Sequence, residues 1–181
     1  MARLPPIDPA ELDPAARQLF AGLEAARGFV PVLYRIMGHA PAAMAAFLEF
    51  TSVLRDEGAL PVRQKELAIL LVGHLAGAAT IVAAHRGFGR SAGLSDEQIT
   101  AVPKWLSSTA FDDRERAMLS YVAAVTRDIR VDEATWNAVR ACFSDAELAE
   151  LTLVAACYNM VARFLAPLEI EVDSNYNSAP G

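Results

Sequence analysis

Cysteine is scarce in this chain. Only Cys142 and Cys157 occur among 181 residues. They have neither CxxC spacing nor a secretory context, so neither a disulfide framework nor a thiolate metal site is expected. Runs of a single charge are lacking as well. The formal net charge is −6, with no local cluster of Lys or Arg to offset it, which argues against nucleic acid as a partner. The longest apolar stretch, LAILLVGHLAGAATIVAA, is broken by His74 and Gly77 and flanked by charges. It falls short of a membrane span and reads as buried helix. The opening MARLPPIDPAELDP has no uninterrupted apolar h-region, so the cytoplasm is the expected compartment. No segment alternates apolar and polar residues between hairpin turns, which leaves an all-α fold.

Helix-forming apolar sequence is what the chain has in plenty. Hydrophobic residues make up 54 % of it, enough for one substantial core and not for two. Such apolar content also suits helix faces that bury against further subunits. Asp8 and Asp13 each precede a proline, as N-caps do, and the helix they open ends at Gly28. FVPVLYRIMGHAP predicts a short helix closed at Gly38, with His39 capping its exit. Met44, Phe47, Leu48, Thr51 and Leu54 mark one face of a third helix that stops at Gly58.

Pro61 opens a central helix. Arg63, Gln64 and Lys65 are expected to give its first turn a polar outer side, and from Leu67 to Leu75 it is apolar nearly all round, so it should be enclosed. After Gly77, ATIVAAHRGFGRSAG reads as a second helix. Ser95 with Gln98, Asp112 with Glu115 and Ser144 with Glu147 have capping-box spacing, and Asp132 caps another helix. KWLSSTAFDD reads as a polar linker around a buried Trp105. The expected organisation is one domain over residues 1–172, with extension helices in 1–60 and a core helix pair in 61–102, followed by a mobile tail over 173–181.

Glu66 is the sharpest chemical signal, because a carboxylate among Leu67, Ala68, Ile69 and Leu70 is costly to bury unless it is paired. A buried, paired carboxyl group is a proton carrier in waiting. The plainer alternative is a solvated glutamate favoured by the helix dipole. His85 follows 19 positions later, roughly 28 Å away if one straight helix ran through both. If the chain turns back at Gly77, the two become partners on antiparallel helices. Taken alone, a histidine in an alanine-rich helix is more often a satisfied core residue.

Three stretches, LPVRQKELAILLVGHLAG, AAHRGFGRSAGLSDEQI and FSDAELAELTLVAACYNMVARFLAPLEIE, resemble the carboxymuconolactone decarboxylase and alkylhydroperoxidase D-like proteins. The resemblance covers nearly the whole chain. It implies an all-α subunit assembled as a trimer or hexamer. In the peroxidase branch a CxxC pair opens the second helix, followed four residues later by His, with a Glu on the preceding helix. Glu66 and His85 match the last two, while the cysteine positions fall on Ala78 and Ile81. Neither residue can act as a thiolate, so thiol peroxidase activity is disfavoured. The decarboxylase branch needs no CxxC pair and implies chemistry without a metal or organic cofactor. Many relatives carry a pattern like EYEWAHH where this chain has ATIVAAH, which predicts a more apolar pocket with fewer polar handles.

The expected activity is therefore a cofactor-independent lyase, a decarboxylase of a small oxo or lactone carboxylic acid. Glu66 and His85 would be catalytic, and Tyr158, Asn159, Arg86, Thr80 and His74 would contact substrate. Arg63 and Arg90 are weaker carboxylate-holding candidates. No HxxxH or HExxH spacing supports a metal site. A non-redox binding or assembly protein on the same scaffold is the alternative.

Overall fold

The computed structural model describes residues 2–177. Among them the chain forms nine α-helices, with short 3-10 turns and no strand. These are α1 (Pro14–Arg27), α2 (Val32–Met37), α3 (Pro41–Asp56), α4 (Val62–Leu75), α5 (Ala79–Ser91), α6 (Asp96–Ala101), α7 (Asp113–Asp128), α8 (Glu133–Arg140) and α9 (Asp145–Leu165).

The fold is built around α4. Every residue from Lys65 to Gly73 is buried, because α5, α7 and α9 pack against the helix from different sides. That enclosure is what an apolar circumference requires. The expected polar outer side of its first turn is corrected at Lys65, which is only 2 % exposed. Its ammonium enters the carboxyl end of α3, donating to the carbonyls of Leu54 at 2.7 Å and Glu57 at 2.8 Å, with the Glu150 carboxylate 3.5 Å away. It thereby serves carbonyls that the end of a helix leaves without partners.

Helix starts follow the capping chemistry of the sequence. Ser95, Asp112 and Ser144 form complete capping boxes, and Asp132 accepts the Thr135 amide proton. Asp13 caps α1, while Asp8 caps a separate 3-10 turn over Pro9–Glu11. His39 does not cap α2. Its Nε2 donates instead to the Pro5 carbonyl at 2.8 Å, fastening the irregular amino-terminal segment. Trp105 is buried as expected.

Helices α1 to α3 assemble a smaller apolar cluster that includes Phe20, Tyr34 and Met44, joined to the main core through Leu33 and Phe47. The last helix, α9, is long and apolar enough to cross a membrane by length and composition. Half of its apolar window lies inside the fold, and it is a core helix here. The tail expected to be mobile from residue 173 is instead anchored at Asp173 and Tyr176. Asp173 is buried and accepts the Val32 amide proton at 3.2 Å, Ser174–Asn177 form a 3-10 turn, and Tyr176 meets Phe29 edge to face at 5.3 Å. Two aromatic rings and a buried carboxylate outweigh the polar composition that suggested mobility. Residues 178–181 of that expected tail lie outside the described residues.

Ile129 ends α7 at φ 65°, a conformation that crowds a β-branched side chain, and it is 81 % exposed, so no packing offsets the strain. Ile129→Gly is expected to stabilise the protein by about 1 kcal/mol, read as a rise in the melting temperature.

Candidate active site

The site begins with the turn between α4 and α5. Gly77 has φ 65°, the Ala78 amide donates to the Gly73 carbonyl at 2.8 Å, and the Gly77 amide donates to the His74 carbonyl at 3.3 Å. This is the Schellman arrangement, which needs a residue without a Cβ at the left-handed position. It reverses the chain within three residues and lays α5 back along α4. Glu66, ten residues before the turn, then faces His85 from the adjacent helix.

His85 Nδ1 lies 2.7 Å from Glu66 Oε2. Glu66 is 1 % exposed, so the solvated alternative does not hold. An ionised carboxylate can only accept, so the Nδ1–H donates and the ring is held in one orientation. The other ring nitrogen, Nε2, has no hydrogen-bond partner among the described residues. The arrangement is a buried carboxylate behind an imidazole whose second nitrogen is open to exchange protons.

His85 lines a cavity of about 60 Å³. That space holds more than a single water but only a small molecule. Tyr158 of α9 forms part of its wall, with its ring edge-on to His85 at 4.9 Å and 90°. Phe88, one turn along α5, is 5.5 Å from the same imidazole. Burial holds the Tyr158 hydroxyl well above the ordinary phenol range, and the Glu66 carboxylate adds to the effect. The hydroxyl therefore keeps its proton and is a donor at neutral pH.

Of the expected contact residues, Tyr158 and Thr80 line this cavity. Thr80 also donates to the Ile170 carbonyl at 3.3 Å. The other three lie elsewhere. Asn159 is turned inward, where it donates to Thr126 Oγ1 and the Ala155 carbonyl and accepts from Arg163. Arg86 and His74 share a different, shallow surface beside Gly73 and Gly77. Burial, then the Arg86 charge, lowers the His74 imidazole below its ordinary range. Arg63 is paired with Glu115 at 2.6 Å and Arg90 with Asp96 at 2.6 Å, so neither reaches the cavity wall. Ala78 is the N-cap residue of α5 and Ile81 is buried one turn later.

Residues 41–124 match the model of the carboxymuconolactone decarboxylase family, a segment that contains the turn, Glu66 and His85. The match spans a little under half of the chain and makes this segment similar to that family. The chain is similar to an uncharacterized peroxidase-related protein with an alkylhydroperoxidase AhpD core from Ralstonia eutropha JMP134, at 22 % identity and a TM-score of 0.86 over 97 % of this chain and 94 % of that one. A peroxidase-related protein from Silicibacter sp. TM1040 gives 20 % identity and a TM-score of 0.85 over 97 % and 93 %. A cysteine-to-alanine variant of the debrominase Bmp8 in complex with 2,3,4-tribromopyrrole gives 17 % and 0.84 over 98 % and 97 %. At these identities the likeness establishes the all-α AhpD-like fold. No curated protein matches the sequence.

The sequence reading missed much of the cavity wall. Arg27 at the end of α1, Tyr34 of α2, Phe88 of α5 and Tyr176 of the tail all face it. They come from segments up to 149 positions apart, joined only by the fold.

Proposed function

We propose that this protein is a cofactor-independent lyase that decarboxylates a small oxo acid. The observation that carries the reading is the buried Glu66 paired with His85 at 2.7 Å, directly beside a small cavity. A β-keto acid with its carbonyl near His85 loses carbon dioxide by breaking the bond to its carboxylate carbon. The electron pair passes onto the carbonyl as an enolate, and a proton returns to the carbon. His85 Nε2–H stabilises the developing oxyanion and then delivers the proton, while Glu66 balances the charge on the ring. Tyr158 keeps its proton and supplies a second donor.

Two observations favour this over the alternatives. A scaffold kept only for binding or assembly would fill the space beside His85 with Leu or Phe side chains, and that space is open. A thiol peroxidase would need a reactive sulfur at the cavity, but no cysteine lines it and burial pushes the Cys157 thiol up to about 11. Assembly of several copies through apolar helix faces is proposed on family grounds, and cytoplasmic residence belongs to the same proposal.

Carbon dioxide release from acetoacetate, 3-oxoglutarate and a γ-lactone acid tests the reading. Enzyme-dependent release above the spontaneous rate, unchanged by iodoacetamide, is the expected result. No acceleration with any of the three would overturn it.

A further inference from the structure

Arg27 is half-buried and sits over two aromatic rings, with its guanidinium carbon 5.3 Å from the centre of Phe88 and 5.8 Å from that of Tyr34. It makes no ion pair with any carboxylate of the described residues. A guanidinium held in a cavity wall without a counter-ion is poorly compensated, since aromatic faces replace only part of its hydration. Its remaining neighbours carry no charge. Arg27 donates to the Tyr176 hydroxyl oxygen, which leaves that hydroxyl's proton to give, and the hydroxyls of Tyr34 and Tyr158 have no hydrogen-bond partner among the described residues. All four side chains line the cavity that His85 lines.

The carboxylates nearby do not answer this cation. Asp173 accepts from the Val32 amide and from the Asn175 backbone and side-chain amides, which uses it to fasten the tail. Glu66 is committed to His85. Glu171 lies at the rim and is exposed. The cavity lining therefore combines a planar cation with spare donors, phenol groups beside it, and the His85 imidazole.

We infer that Arg27, Tyr34 and Tyr176 form an anchoring subsite for a substrate carboxylate that is retained through the reaction. Guanidinium recognises a carboxylate through parallel charge-assisted hydrogen bonds, and neighbouring hydroxyls satisfy its remaining lone pairs. An anchored carboxylate cannot be the one that is lost. Departure as neutral carbon dioxide requires the group to give up its charge, and an ion pair with Arg27 opposes that. The leaving carboxylate is a second one, held near His85, and the substrate class is a small oxo dicarboxylate. Arg27, Tyr34 and Tyr176 all lie outside the family-matched segment 41–124, so that segment supplies proton transfer while the flanking arm and tail select the substrate. The substrate class rests on the lyase reading, but the carboxylate subsite does not.

Calorimetric titration with 4-oxopentanoate and with its neutral methyl ester separates the two. The acid carries a remote carboxylate and has no β-carboxylate to lose, so binding is read without turnover. Wild type is expected to bind the acid at least about tenfold more tightly than the ester. Arg27→Gln should bring the two within about threefold, Tyr176→Phe should weaken the acid alone, and His85→Gln should retain the preference. Far-UV melts establish that each variant is folded. No preference in wild type, no measurable binding of the acid, or a preference that survives Arg27→Gln would overturn the subsite. Absence of carbon dioxide release with the preference intact would instead count against the lyase reading alone.

Discussion

Replacing Glu66 by glutamine is expected to lower the turnover of a decarboxylated β-keto acid at least about a hundredfold while leaving the fold intact. The substitution keeps the shape of the side chain and removes its charge. Glu66 is buried with His85 as its one side-chain partner, so no other described side chain can take over. Without the carboxylate, the imidazole loses the group that balances its positive charge when it carries the proton, while the glutamine amide oxygen still accepts from Nδ1–H and holds the ring in place. The effect should fall on kcat far more than on KM, because Glu66 stands behind His85 and does not line the cavity. Glutamine leaves no buried charge of its own and still accepts from the Nδ1–H of a neutral ring, so the melting temperature should move by only a few degrees. His85→Gln is the companion variant, since it offers Glu66 a donor but has no nitrogen that cycles a proton. His85→Ala would leave a buried carboxylate unpaired and confuse the reading with unfolding. Activity of either glutamine variant within a few-fold of wild type would remove the pair from the mechanism.

Why Glu66 and His85 were legible while other site residues were not comes down to helix geometry. Gly77 is a local signal. Glycine after an apolar run announces a left-handed turn, and the turn alone brings positions 66 and 85 together. The capping boxes at Ser95, Asp112 and Ser144 are local as well, each decided within four residues. The contact residues are another matter. Successive helix positions point about 100° apart, and that rotation carries Arg86 away from the cavity His85 lines and Asn159 away from the one Tyr158 lines. His74 lies about 12 Å along α4 from Glu66, at the turn end of the helix, too far to share its pocket. Arg27 and Tyr176 gave no local signal, because an arginine at a helix end and a tyrosine in a polar tail are ordinary there. Their role depends on an arm and a tail that close over the same helix pair from opposite ends of the chain. The burial of Lys65 has no local signal either, since its partner Glu150 lies 85 positions away.

That clasp supports the largest expected effect on stability. Glu150→Ala is predicted to cost about 3 kcal/mol and to lower the melting temperature by about 10 °C. The Glu150 carboxylate accepts the amide protons of Ala59 at 2.6 Å and Leu60 at 2.9 Å, and it is the counter-ion of buried Lys65 at 3.5 Å. It also fills the space beside Gly58, where an added Cβ would overlap it. Truncation strands two amides and leaves an ammonium facing only carbonyls, which is costlier than never having buried the pair. Burial by itself would push the Glu150 carboxyl upward, but the Leu60 and Ala59 amides and the Lys65 charge outweigh it and hold the group below the ordinary glutamate range. A carboxyl group depressed in the folded state contributes its stability above the unfolded value and loses it as pH falls through the folded one. The gap in melting temperature between wild type and Glu150→Ala should therefore be full near neutrality and narrow as the pH is lowered beneath the ordinary glutamate range. Because Lys65 precedes Glu66 on α4 and ties that helix to α3 and α9, the variant should also slow turnover at temperatures where it remains folded. A gap that stays constant down to strongly acidic pH would show that Glu150 acts through packing and not through its charge.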